Sequence, residues 1–109
     1  MSDSLTGWIG RPVLVVLSAD AEDENYRAMI DRIYHHWSLL EEYGVVVITV
    51  AGMRVAINGE STTALTPSEV RRMLELQSYG FAMVLLGDDG SERTRRFDPA
   101  ELQELMETL

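Results

Sequence analysis

Two uninterrupted apolar runs, separated by one long amphipathic segment, constrain the fold of this chain more than any other feature. The runs span Pro12 to Leu17 and Val45 to Ala51, and both are rich in valine. A strand without polar–apolar alternation is typically buried on both faces of its sheet. A connection of about 20 residues between two such strands favours a parallel pair. The sequence therefore predicts an α/β fold built on a parallel β-α-β unit.

The segment between the two runs predicts a helix from about Asp23 to Tyr43. Its apolar side chains recur at spacings of four, three, four and three residues, which is the period of one helix face. These side chains are Tyr26, Ile30, Ile33, Trp37 and Leu40. Gly44 is expected to end the helix, because glycine adopts a left-handed cap without strain.

The loop from Gly52 to Leu65 is longer than most connections in small domains. Within it Met53, Val55 and Ile57 alternate with Arg54 and Ala56 ahead of Asn58-Gly59, a hairpin turn signal. In a four-strand sheet the second apolar strand would lie at an edge, and an apolar edge attracts other chains. We expect this segment either to shield that edge or to present it to a second subunit.

The remaining elements follow from start and turn signals. Thr66-Pro67-Ser68-Glu69 has the pattern of a helix start with a capping box, and that helix is predicted to reach Tyr79-Gly80. Phe81 to Leu86 predicts a third buried strand, and Glu92 to Arg96 predicts an edge strand. Asp89-Gly90 between them favours an antiparallel reversal. Asp98-Pro99-Ala100-Glu101 repeats the helix-start pattern and predicts a last helix with a stripe of Leu and Met.

Three stretches of the chain resemble a thioredoxin-like family of unknown function found in bacterial proteins and in animal extracellular proteins with sushi repeats. They are Trp8 to Val16, Ser18 to Asp20 and Phe81 to Gly90. The resemblance implies the order β-α-β-(long loop)-α-β-β-α, a mixed four-strand sheet with helices on both faces, and a single domain over residues 1–109. It also implies export, since members of the family tend to look exported.

The chemistry of thioredoxins cannot be transferred to this chain. The 109 residues contain no cysteine, so thiol–disulfide exchange, peroxidase chemistry and thiolate metal sites are excluded. The proline that precedes the third strand in thioredoxins is replaced in the stretch Ser78 to Phe81. We expect no cofactor and no metal.

The charge of the chain limits its partners. The formal net charge is -9, and all nine cationic residues are arginine. Such a field repels phosphate backbones, so we expect no nucleic-acid partner. The longest apolar run is far shorter than the ~20 residues that span a bilayer, so no membrane insertion is expected.

The missing lysine is explained either by GC-rich coding or by adaptation to high salt. Measuring how the melting temperature depends on salt concentration separates these two explanations.

The turn from Ser18 to Asn25 is the candidate ligand site, because α/β sheets bind ligands beyond the carboxyl ends of their strands. Its candidate ligand-binding residues are Ser18, Asp20, Asp23 and Asn25. One reading gives these acidic residues a capping role at the helix start. The other makes Asp20 or Asp23 a general base or a cation ligand.

Two further groups have a structural and a functional interpretation. Adjacent His35 and His36 point about 100° apart on a helix and cannot chelate one ion together, so we expect a surface His35 near Asp31 and a partly packed His36. Arg93 and Arg95 on the edge strand either discourage aggregation and pair with surface acids, or dock an acidic partner.

These observations favour a non-catalytic thioredoxin-like binding domain over an enzyme. We expect a protein partner or a homodimer, formed through the second strand and the long loop, with Met53, Val55, Ile57, Arg93 and Arg95 as candidate contacts. The alternative is a small-ligand or metal-dependent enzyme site at the Ser18–Asn25 turn. Residues 1–10 carry no signal-peptide pattern, which favours a cytoplasmic chain if Met1 is its native start and an exported one if a leader has been removed.

Overall fold

The computed structural model of the chain describes residues 10–76 and 80–109. These residues form six strands and four helices. In chain order they are β1 (Val13–Ser18), α1 (Glu24–His35), α2 (Trp37–Glu42), β2 (Val46–Ala51), β3 (Arg54–Ile57), β4 (Glu60–Thr62), α3 (Pro67–Met73), β5 (Ala82–Leu86), β6 (Glu92–Arg96) and α4 (Leu102–Met106). Trp8, which carries part of the resemblance, and Tyr79, the predicted end of the third helix, lie outside the described residues.

The six strands form one open mixed sheet in the order β4-β3-β2-β1-β5-β6. Strands β1 and β2 are parallel, as the two apolar runs and the helix between them predicted. All other neighbouring strands in the described part of the chain are antiparallel. The reversal predicted at Asp89-Gly90 is confirmed, and β6 lies at one edge of the sheet.

The continuous apolar runs are explained by two cores, one on each face of the sheet. In β1 the even-numbered Leu14 and Val16 face one core, and the odd-numbered Val13, Val15 and Leu17 face the other. Helices α1, α2 and α4 contribute buried side chains to the first core, whereas α3 contributes to the second. Helices therefore cover both faces, as expected.

The sheet has six strands in its described residues, so the predicted count of four is wrong. The loop after β2 folds into a hairpin in which β3 pairs with β2 and β4 pairs with β3. The predicted turn at Asn58-Gly59 is confirmed, with φ angles of 50° and 85°. Asn58 extends the pairing, because its side-chain Oδ1 accepts from the Val47 amide at 2.8 Å.

The hairpin bears on whether the loop shields the edge of β2 or presents it to a second subunit. Strand β2 pairs with β1 on one side and with β3 on the other, so both of its edges are occupied. The alternative that the loop shields the edge agrees with this pairing. The expectation that β2 itself pairs with a second copy is wrong, because its backbone groups are already bonded within the chain.

The first long helix is interrupted at His36, where the sequence predicted a continuous helix to Tyr43. His36 leaves helical geometry, with φ of -119° and ψ of 30°, and separates α1 from α2. Ile33 of α1 and Leu40 of α2 both pack in the first core. His36 is exposed rather than partly packed, whereas His35 lies beside Asp31 as predicted, 2.9 Å from its carbonyl oxygen.

The two predicted helix starts have different outcomes. Thr66 caps α3 as predicted: its Oγ1 accepts from the Glu69 amide at 3.2 Å, and the Glu69 carboxylate accepts from the Thr66 amide at 2.9 Å. The start at Asp98 is wrong, because Ala100 is already buried in the first core and α4 begins only at Leu102. The predicted end of α3 is also wrong, since the helix stops at Met73.

Because Thr66 caps a helix and Asp98 does not, substitutions at these two residues should lower the free energy of unfolding by different amounts. Thr66→Ala should lower the free energy of unfolding by about 1 kcal/mol, because it removes the Oγ1 that accepts from the Glu69 amide and leaves only the bond from the backbone amide of residue 66 to Glu69. Asp98→Ala should change it by less than about 0.5 kcal/mol, because Asp98 is an exposed residue that caps no helix. Urea unfolding of both variants measures the contrast, and equal costs would contradict the assigned caps.

Candidate functional site

The Ser18–Asn25 turn connects the carboxyl end of β1 to the start of α1, and its polar side chains bond to one another. Ser18 is buried, and its Oγ accepts from the Asp20 amide at 3.2 Å. The same hydroxyl donates to Oδ2 of Asp23 at 3.5 Å, a long contact. The structure thus brings Ser18, Asp20 and Asp23 together as the sequence suggested.

The carboxylates of this turn are directed at backbone amides. Asp20 Oδ1 accepts from the Glu22 amide at 2.9 Å. Asp23 is the N-cap of α1, and its Oδ2 accepts from the Tyr26 amide at 3.2 Å. Asn25 lies half-buried in the first turn of α1. Asp23 thus satisfies a helix-start donor that would otherwise lack a partner, and Asp20 stabilises the turn ahead of the helix.

The turn offers little to a reaction or to a metal ion. It carries no sulfur nucleophile, and Ser18 bonds to a carboxylate rather than to an imidazole base. Across residues 10–76 and 80–109, the structure holds no group of three or more His, Asp or Glu side chains that could bind an ion.

The hairpin places only one of its three candidate contacts fully at the surface. Met53 is 88% exposed in the turn between β2 and β3. This turn lies beside the Ser18–Asn25 turn, because the Gly52 amide donates to the Ser18 carbonyl at 3.1 Å. Val55 is only 2% exposed and belongs to the second core, and Ile57 packs against that core. Val55 therefore cannot act as a surface contact, because its side chain covers the α3 face of the sheet.

Arg95 joins the sheet edge to the end of α3. Its guanidinium donates to both carboxylate oxygens of Glu92, at 2.7 and 3.0 Å, and to the Leu74 carbonyl at 2.6 Å. The hydrogen bonds from Arg95 hold the pKa of the Glu92 carboxyl below its ordinary value, and they raise the pKa of Arg95 in turn. Arg95 is thus engaged within the chain rather than free to dock a partner.

Arg93 is less tightly held than Arg95. Its Nη2 lies 3.7 Å from Asp89 Oδ1, a distance at which an exposed ion pair contributes little. Its guanidinium lies against the Gly87 backbone, in the space that a side chain at that position would occupy. Asp89 also accepts from the Ser91 hydroxyl and amide, which lowers the pKa of its carboxyl.

A groove along α1 was not identified from the sequence. It encloses about 660 Å³ and is lined by Ala21, Tyr26, Arg27, Ala28, Ile30, Asp31, Tyr34 and His35. Tyr34 is 59% exposed and stacks on Trp37, with ring centroids 5.9 Å apart. Burial raises the pKa of the Tyr26 hydroxyl, which bonds to Thr49.

The sequence did contain a signal for this groove. Tyr26, Ile30 and Tyr34 recur every four residues, but Tyr26 and Ile30 were assigned to the inner stripe of the helix. In the structure both are only half-buried and form one wall of the groove. Because a helix has 3.6 residues per turn, each step of four residues rotates the side chain by about 40° around the helix. Successive members of the series are therefore less directed at the core.

No helix in the described residues is long and apolar enough to cross a membrane. No curated protein and no solved structure matches the chain significantly. The sequence does match one family over residues 8–109, nearly its whole length. The chain therefore belongs to the family described as Domain of unknown function (DUF4174).

Proposed function

We propose that this chain is a thioredoxin-like domain that acts by binding rather than by catalysis. The fold supports the proposal: without the β3–β4 hairpin, the order β2-β1-β5-β6 is a mixed four-strand sheet with helices on both faces. That is the architecture that the sequence resemblance implies. The family assignment adds no activity of its own.

The observation that carries the proposal is the hydrogen bonding of the Ser18–Asn25 turn. Asp20 and Asp23 accept from the backbone amides of Glu22 and Tyr26, so their oxygens stabilise the turn and the start of α1. An enzyme site here would need carboxylate oxygens directed at a substrate. The turn instead resembles a well-capped helix start.

A thermal-shift screen with divalent metals and small metabolites tests this proposal. We expect no compound to raise the melting temperature by more than about 2 °C at millimolar concentration, because the carboxylates of the Ser18–Asn25 turn already accept from backbone amides. The alternative, a small-ligand or metal-dependent enzyme site, would be supported by a ligand that stabilises the wild-type chain but not Asp20→Ala. That variant must first be shown to unfold at nearly the same urea concentration as the wild type.

We further propose that the partner is a protein or a second copy of the chain. With β2 paired on both sides, self-association has to use a surface other than that strand. Met53 in the turn between β2 and β3 and Arg93 on β6 are the accessible members of the candidate contacts, and we assign them to a different protein partner. Sedimentation velocity from about 1 to 100 µM should show a dimer, whereas a monomer throughout would remove the homodimer from the proposal.

A further inference from the structure

The groove along α1 is close to neutral in a strongly acidic chain. Its lining contains one cation, Arg27, and one anion, Asp31, beside the neutral or weakly basic His35. The whole chain carries a formal charge of -9. Two copies therefore repel each other over most of their surfaces, and the groove is a place where that repulsion is locally absent.

The charged residues of the groove are held only weakly within the chain. Arg27 lies 3.5 Å from Glu22, and both side chains are more than half exposed. Asp31 lies 3.4 Å from His35, again with both side chains more than half exposed. Exposed pairs of this kind contribute about 0–1 kcal/mol, so their members can exchange partners at small cost.

The order of these residues along α1 is self-complementary. Arg27 and Asp31 lie four residues apart on one side of the helix, and a two-fold axis reverses the direction of the second helix. With the axis midway between these positions, Arg27 of each copy faces Asp31 of the other.

We infer that this groove is an isologous dimer interface, and that its occupant is α1 of a second copy of the chain. The inference rests on the proposed binding function and specifies its surface. Two Arg27–Asp31 pairs set the antiparallel register, and Tyr26, Ile30 and Tyr34 supply apolar and aromatic area. The partly exposed Tyr34 ring is then covered in the dimer.

A charge-swap experiment tests the inference by sedimentation velocity at fixed ionic strength. Arg27→Glu places a carboxylate opposite Asp31 and should weaken dimerisation by at least about tenfold. Asp31→Arg should weaken it similarly by placing two arginines together. The double variant R27E/D31R restores opposite charges across the axis and should return the dissociation constant to within about threefold of the wild type.

Two control variants separate this interface from the hairpin. Arg54→Glu makes the same charge change at an exposed position of β3 outside the groove, and Met53→Glu alters the turn between β2 and β3. Neither should weaken the dimer more than about threefold. Circular dichroism confirms that each variant folds, which is expected because all of these side chains are exposed.

The outcomes distinguish this inference from the proposed function. If Arg27→Glu leaves the dimer intact while Met53→Glu dissociates it, the interface is the hairpin: the inference is overturned and the binding function stands. If both single variants dissociate but the double variant does not recover, the antiparallel pairing is overturned. If the wild-type chain is monomeric up to 100 µM, the dimer itself is refuted, and the thermal-shift screen still decides the question of catalysis.

Discussion

Replacing Val55 with aspartate should detach the β3–β4 hairpin from the sheet and lower the free energy of unfolding by about 3–5 kcal/mol. Val55 is 2% exposed and packs in the second core, where it pairs with Val50 of β2. A carboxylate there would lose its hydration, and the second core consists of apolar side chains. The least costly response is for the hairpin to open, which frees the edge of β2.

The opened edge gives this prediction a second readout. Strand β2 is apolar, and an uncovered apolar edge pairs with other chains, so V55D should aggregate at micromolar concentrations where the wild type does not. Amide hydrogen exchange in Val46–Ala51 should become faster as well. Met53→Asp is the matched control, because it adds the same charge two residues away at an exposed site. That control should change stability by less than about 0.5 kcal/mol, and an equal loss in both variants would contradict the shielding role of β3.

The hairpin shows where the sequence was sufficient and where it was not. Asn58-Gly59 predicted the turn correctly, since few residue pairs adopt two consecutive positive φ angles. The alternation of Met53, Val55 and Ile57 covered too few residues to decide between a loop and a strand. The strand count of four failed for that reason, whereas the long valine-rich runs of β1 and β2 were recognised without error.

The helix boundaries were the least predictable part of the fold, because local signals mark them poorly. His36 leaves helical geometry, although nothing in the neighbouring sequence indicates a break. Asp98 carries a good start pattern, yet α4 begins only at Leu102, after Ala100, which is buried in the first core. Local propensity contributes tenths of a kcal/mol per residue and is overridden where a side chain can be buried.

The candidate sites depended still more on contacts that a sequence does not reveal. Asp20 and Asp23 could be named as polar residues of the turn, but only the backbone path shows that their oxygens accept from amides. The sequence suggested that Arg95 pairs with surface acids, and it does pair with Glu92, but its bond to α3 was not foreseen. Its bond to Leu74 joins residues 21 positions apart, and no spacing rule connects them.

Arg95→Ala should lower the free energy of unfolding by about 2 kcal/mol at pH 7, the second large effect that the structure predicts. The guanidinium is the donor that joins β6 to the carbonyl at the end of α3, and it also holds Glu92. A hydrogen bond from a charged donor contributes about 1.5–3 kcal/mol, and the partly exposed pair with Glu92 adds less. Arg96→Ala is the control on the next residue of the strand, where the side chain is exposed, and it should cost less than about 0.5 kcal/mol.

The stability lost in Arg95→Ala should depend on pH, and this dependence separates the contribution of the bond to Glu92 from that of the bond to Leu74. Since the folded pKa of Glu92 lies below its ordinary value of 4.5, its ion pair stabilises the fold above that value and is lost as the pH falls through the lowered pKa. The stability gap between the wild type and R95A, measured by urea unfolding, should therefore narrow between about pH 5 and pH 3. It should not close, because the Leu74 carbonyl accepts from Arg95 whatever the protonation of Glu92. A gap that vanished at pH 3 would show that Arg95 stabilises the fold through Glu92 alone, and that the edge strand is not tied to α3 by this bond.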